Sequence, residues 1–129
     1  MSQSSPIAQC RLVAFAPSTD LARSCSFYGQ LLGLHVAEQT PFALVIDTPG
    51  TQLRVTLVHE LKPQPFTVLG WQVESLEESV RVLRDRGVQF LRYPGMNDNH
   101  PLAIWTAPSG AQIAWFNDPD GNVLSLTQF

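Results

Sequence analysis

Two nine-residue segments of this chain carry the same pattern. Asp118-Pro119-Asp120-Gly121-Asn122-Val123-Leu124-Ser125-Leu126 repeats Asp47-Thr48-Pro49-Gly50-Thr51-Gln52-Leu53-Arg54-Val55. Each is a tight turn followed by alternating apolar and polar residues, the period of a half-buried strand. Upstream of each turn lies a strand pattern, and upstream of that a helical pattern ending in glycine. A duplicated unit constrains the fold strongly, because neither copy buries its apolar face alone. It also says where a site belongs: between the copies, lined by equivalent positions.

The rest of the chain fits two copies. Residues 10–16 read as a strand, and Ser18, Thr19 and Asp20 supply helix caps. Leu21, Phe27, Tyr28, Leu31 and Leu32 recur at helical spacing up to Gly33. Residues 36–39 and 42–47 read as strands broken at Pro41, and residues 52–59 alternate cleanly, with Arg54 and Thr56 opposite Leu53 and Val55. Lys62-Pro63-Gln64-Pro65 is a stiff linker. The second copy then offers a strand at 66–73 and a capping box at Ser75 and Glu78. A helix to Gly87 follows, then strands at 88–93, 102–106, 112–117 and 123–128. The helix caps Asp20 and Ser75 lie 55 residues apart, but the turns Asp47 and Asp118 lie 71 apart. The second copy therefore carries an insertion, assigned to the polar loop at residues 94–101. Loops of that length in a small domain often carry function.

At 129 residues the chain is one domain, with a first module at about 8–60, a linker at 61–65 and a second module at about 66–129. A net charge of -3 gives no reason to expect nucleic acid or an anionic membrane surface as a partner. Residues 1–6 are polar and lack the apolar core of a signal peptide, and no apolar run is long enough to span a bilayer. Cys10 and Cys25 form neither a disulfide framework nor a CxxC pair. A cytoplasmic protein with reduced thiols is expected.

Two βαβββ units with a terminal Asp118-Pro119-Asp120-Gly121-Asn122 turn resemble the vicinal oxygen chelate superfamily, which includes glyoxalase I, ring-cleaving dioxygenases and bleomycin-resistance proteins. Supporting segments are Asp20-Leu21-Ala22-Arg23-Ser24, Phe27-Tyr28, Leu32-Gly33-Leu34 and Ala114-Trp115-Phe116-Asn117. The resemblance covers nearly the whole chain. It implies an α+β fold of two tandem modules, forming a curved mixed sheet around a central cup that holds a small molecule. It also implies a homodimer.

Metal-dependent members of that superfamily place His and Glu ligands in the cup, where the ion acts as a Lewis acid. Carried over residue by residue, the first His lands at Leu12 or within one residue of it, and its repeat at Val68. The Glu that follows the turn lands at Ser125, and the repeat maps Ser125 onto Arg54. None of these is an ordinary metal ligand. No family-type metal centre and no cofactor is therefore expected. His35, His59 and His100 are scattered and read as solvated side chains; a grouping of His59, Glu60 and His100 stays open. Glu38, Asp47, Glu60, Asp98 and His100 are acid–base candidates with no spacing that pairs them.

The expected ligand contacts are Arg54, Thr56, Trp105, Phe116 and Ser125. Arg54 offers a planar fork for a carboxylate, phosphate or enolate. Ser125 and Thr127 add hydroxyls from the equivalent strand, and Trp105 adds a stacking wall. Trp71 alternates with Leu69 and Val73 and is assigned to the core. Trp115 and Phe116 face opposite sides of one strand, so one of them faces the cup. The function implied is metal-independent binding of an aromatic or anionic small molecule, like that of antibiotic-binding resistance proteins. A lyase, isomerase or oxygenase with atypical metal ligands is the alternative.

Overall fold

The computed structural model describes residues 5–129; residues 1–4 of the polar start lie outside it. Strand β1 (Leu12–Ser18) leads into helix α1 (Leu21–Cys25), then β2 (His35–Gln39), β3 (Ala43–Thr48) and β4 (Thr51–Leu57). The second module repeats this order with β5 (Thr67–Gln72), α2 (Leu76–Asp85), β6 (Trp105–Thr106), β7 (Gln112–Asn117) and β8 (Val123–Gln128). Each module forms its own four-stranded mixed sheet, in the orders β1-β4-β3-β2 and β5-β8-β7-β6. In each, the first strand runs parallel to the last and the other pairs are antiparallel. The two sheets are thus one topology used twice.

The local chemistry follows the sequence. Asp20 caps α1 by accepting from the Arg23 N–H at 3.1 Å. Ser75 caps α2 by accepting from the Glu78 N–H at 3.4 Å, so the capping box is made from the serine side. After Cys25 the first helix widens into a π-helical segment, Ser26–Leu31, in which the Leu32 N–H reaches the Phe27 carbonyl at 2.9 Å. Both module turns need a left-handed residue, and glycine supplies it at Gly50 (φ +74°) and Gly121 (φ +86°).

One expected strand is absent. Residues 88–93 make only an isolated bridge, Phe90 to Phe116. The backbone here is taken up by the 94–101 loop. The buried Asn97 carboxamide donates to the Leu91 and Ala103 carbonyls and accepts from the Tyr93 N–H. Arg92 Nη1 donates to the carbonyls of Asn97, Asp98 and His100. The inserted loop is thus closed on itself by side chains, and its strand-like residues are spent on holding it.

One hydrophobic core runs through both modules. It joins Tyr28, Leu44, Ile46 and Val55 to Leu76, Val80, Phe116 and Leu124, with both helices on the same side of their sheets. The second turn bolts the modules together. The Tyr28 hydroxyl donates to Asp118 Oδ2 at 2.6 Å, and Asn122 Nδ2 donates to the Pro17 carbonyl at 2.9 Å. The Asp120 carboxylate accepts from the Thr19 N–H and hydroxyl and from Arg23. Asp118 Oδ1 also takes the Asp120 and Asn122 N–H groups, which shapes the turn itself. Asp47 does not play this part in the first turn: its carboxylate faces Arg11 at 3.8 Å, and the Thr48 hydroxyl holds the turn by donating to the Thr51 carbonyl.

Candidate functional site

Strand register decides which side chains share a face. On β4, Leu53 and Val55 are buried against the helix side, so Gln52, Arg54 and Thr56 lie on the opposite, cup side. Arg54 pairs with Phe15 on β1 and Val45 on β3. On β8, Leu124 and Leu126 take the helix side, and Ser125 and Thr127 lie on the cup side. Ser125 pairs with Gly70 on β5 and Trp115 on β7. The duplication therefore sets Phe15, Arg54 and Val45 against Gly70, Ser125 and Trp115.

The register corrects the placements of Phe116 and Val68, and narrows that of Leu12 to its neighbour Val13. Phe116 is not a cup residue: it is fully buried on the helix side, against Phe27 and Phe90 at ring distances of 6.4 and 5.5 Å. Trp115 takes the cup side instead, because successive strand residues face opposite ways. Leu12 pairs with Thr51 on the helix-side register, so the cup-side neighbours on β1 are Val13 and Phe15. Val68 falls at a register shift between Thr67 and Leu69, and Gly70 takes the position beside Ser125.

Trp105, Trp115 and Tyr93 form one aromatic wall. Trp105 and Trp115 lie 6.1 Å apart at 34°, and Tyr93 meets Trp115 edge-on at 5.3 Å. Ser125 stands beside Trp115. A Cβ at Gly70 would come within 2.7 Å of the Ser125 hydroxyl oxygen, so glycine leaves the space that this hydroxyl fills. Arg54 Nη1 donates to Gln52 Oε1 at 3.3 Å, and among the described residues no carboxylate pairs with it. Arg54 and Thr56 thus share one half-exposed face; Trp105 lies half-buried on the other, where Ser125 is itself buried. None of the five principal cavities of the single chain is lined by these four residues.

The sheet edges formed by β1 and β5 expose apolar side chains. β1 and β5 each have a neighbour on one side only, and they touch without pairing. On β1, Leu12 is 69% and Phe15 63% exposed, on opposite faces. Phe15 was invisible to the sequence reading because residues 10–16 are apolar at nearly every position; the signal was the lack of alternation in a strand that no helix covers on both sides.

The residues do not suit a metal of the superfamily type. Among the described residues no three His, Cys, Asp or Glu side chains gather as a metal site, so His59, Glu60 and His100 do not form one. His100 has a structural task, its Nδ1 accepting from the Leu102 and Ile104 N–H groups at 3.0 and 3.3 Å. Cys10, ahead of β1, and Cys25, at the end of α1, are free thiols. No helix among the described residues is long and apolar enough to cross a membrane.

Two modules of this topology, joined through helix-side contacts and opening a polar–aromatic sheet face each, define the glyoxalase-type architecture. The chain belongs to the glyoxalase/bleomycin resistance protein/dioxygenase superfamily, whose family model matches residues 11–126. A glyoxalase family protein from Bacillus anthracis superimposes with a TM-score of 0.76 at 11% identity, covering 97% of this chain and 98% of its own. A superfamily member from Sphaerobacter thermophilus gives 0.66 at 25% identity, over 92% of this chain and 95% of its own. The probable trivalent organoarsenical cleaving enzyme of Bacillus subtilis is 28% identical over 104 residues, 79% of this chain and 68% of its own length.

Proposed function

We propose that this chain is a metal-independent small-molecule-binding protein, similar in action to the antibiotic-binding members of its superfamily, and that it works in the cytoplasm as a homodimer. The observation that carries the reading is the donor set. Where the superfamily's metal chemistry needs His and Glu, the cup-side positions hold Val13 and Phe15 on β1, Arg54 on β4, Gly70 on β5 and Ser125 on β8. Valine and glycine donate nothing, and a guanidinium repels a cation. What these faces offer instead is an anion fork at Arg54, with Thr56 beside it, and a stacking wall at Trp105 and Trp115 with the Ser125 hydroxyl at its edge. A planar aromatic anion fits that chemistry. Homodimerisation is supported by the apolar free edge at β1, since an exposed hydrophobic edge strand invites pairing with another chain.

The test is a fluorescence titration against planar carboxylic acids and aromatic drugs, with Arg54→Ala alongside. Sub-millimolar quenching, lost for anionic ligands in Arg54→Ala while the far-ultraviolet spectrum is unchanged, supports the reading. Unchanged affinity in the variant refutes anion recognition at this position.

The alternative, an enzyme of the lyase, isomerase or oxygenase type with atypical ligands, is favoured by the name of the Bacillus subtilis relative. Against it stands the thiol count: trivalent arsenic is thiophilic, and the chain has two cysteines, Cys10 ahead of β1 and Cys25 at the end of α1. Stoichiometric, tightly held Fe, Mn, Ni or Zn in the purified protein would favour this alternative over the binder.

A further inference from the structure

A second hollow lies away from both cup-side faces. It has a volume of about 440 Å³ and runs along α2 on the helix side, where the two modules meet. Leu32 and Leu34 of the first module form one wall; Trp71, Val82 and Leu83 of the second form much of the rest, with Phe116 at its base. Ser79, Val82, Leu83 and Arg86 are one stripe of α2, at the i, i+3, i+4, i+7 spacing of a single helix face. Val82 is exposed although it is apolar. The volume is in the range of small-molecule sites, and so is the chemistry: mostly apolar walls with few polar groups.

The polar groups are arranged unevenly. Arg86 stands at one end. Its Nη1 donates to the Leu31 carbonyl across the module junction at 3.2 Å, which fixes the guanidinium in place. A guanidinium has five N–H donors, so most remain available. The arginine ion pairs among the described residues join Arg11, Arg23, Arg81 and Arg84 to acids, and none involves Arg86. Glu78, the carboxylate of this hollow, lies eight residues away on α2, about 12 Å along the axis. An anion is therefore attracted at the Arg86 end and an apolar body is accommodated between Trp71 and the Val82–Leu83 stripe.

We infer that this groove is a second binding site, for a monocarboxylate with an apolar tail. The carboxylate pairs with Arg86, and the tail lies against Trp71, Val82 and Leu83. The site is independent of the cup-side residues, so it does not rest on the reading of Arg54.

The experiment is isothermal titration of the full chain, followed also by tryptophan fluorescence, with octanoate and with 1-octanol as the uncharged match. The expected result is saturable octanoate binding, at least about tenfold tighter than that of 1-octanol, because a charge-assisted contact at Arg86 is lost in the alcohol. Arg86→Gln should weaken octanoate to a similar degree, and Val82→Glu should abolish binding. Arg54→Ala should leave octanoate binding unchanged. Thermal melts of each variant show that the fold is retained; Arg86→Lys, which keeps the charge, should retain part of the affinity even if the Leu31 contact is lost. No binding of octanoate at millimolar concentration, equal affinity for the alcohol, insensitivity to Arg86→Gln, or loss of binding in Arg54→Ala would each overturn the inference.

Discussion

Tyr28→Phe isolates the bolt between the modules. The Tyr28 ring is completely buried and packs edge-on against Phe27 at 5.1 Å, contacts that phenylalanine keeps. Only the hydroxyl is lost, and with it the 2.6 Å bond to Asp118 Oδ2. Burial first, and then the charge of Asp118 and this bond, push the phenol well above its ordinary titration range, so it is a donor at any working pH. A hydrogen bond to a charged group contributes about 1.5–3 kcal/mol. Asp118 keeps Asn122 Nδ2 at 2.8 Å and two backbone N–H groups, so the carboxylate is not orphaned and a loss of about 2 kcal/mol is expected. For 129 residues the unfolding entropy is roughly 0.27 kcal/mol/K, which converts that loss into a Tm lower by about 7 °C. Calorimetry at pH 7 and one fixed protein concentration measures it, because the proposed dimer would make Tm concentration-dependent. A fall of less than about 2 °C would refute the claim that this bond joins the modules.

Three further outcomes follow from the same contacts. Burial pushes the Asp120 carboxyl up, but the hydroxyl and amide of Thr19, the Ser18 hydroxyl and the Arg23 guanidinium outweigh it and hold the group below its ordinary value. As pH falls the unfolded chain takes up this proton first, so the stability it lends is present above about pH 4 and drains away below. Asp120→Asn should flatten the acid limb of a urea-midpoint profile in that window, and an equally steep limb would count against the assignment. Gly70→Ala should cost about 1–3 kcal/mol by driving a methyl to 2.7 Å from the Ser125 oxygen, with most of the loss recovered in the double variant with Ser125→Ala. Additive denaturation midpoints would mean the two residues do not compete for that space. Asn97→Ala should be among the more damaging loop changes, since it strips three hydrogen bonds from a buried side chain; a Tm within 1–2 °C of the parent, on the same scale as above, would show that the inserted loop does not need its internal clasp.

The parts of this fold legible in the sequence are those set by local chemistry. Asp20 and Ser75 cap helices because their side chains reach N–H groups three residues on, and Gly50 and Gly121 turn the chain because few other residues tolerate their φ. The parts that were not legible depend on distant partners. Residues 88–93 have strand composition, yet pairing stops at the Phe90–Phe116 bridge and the Leu91 N–H to Trp115 bond, because Asn97 takes the Leu91 carbonyl and the Tyr93 N–H. Trp115 and Phe116 are equivalent by pattern, and the choice between them is made by Phe27, which packs on Phe116 from the other module. Counting along the family motif leads to Arg54 on β4 and Ser125 on β8, but a register shift between Thr67 and Leu69 puts Gly70 rather than Val68 beside Ser125.

The two half-sites are unequal, and the inequality makes binding and assembly inseparable on the proposed dimer. The first module offers Arg54 with the exposed Phe15 beside it; the second offers the Ser125 hydroxyl, packed over Gly70, beside the tilted Trp105–Trp115 wall. Charge and stacking surface thus sit on different sheets, and no principal cavity of one chain gathers them. If a second copy closes the two faces together, a ligand that uses both must bind the dimer more tightly than the monomer, and linkage then requires it to strengthen dimerisation by the same factor. Phe15→Glu places a charge on the free apolar edge and should shift the chain to monomer in analytical ultracentrifugation. The same variant should lose the affinity of the aromatic anion even though Arg54, Trp105 and Ser125 are all present. A monomeric variant with undiminished affinity would show that one chain suffices for the site, and a ligand that leaves the monomer–dimer equilibrium of the parent protein unmoved would refute the coupling.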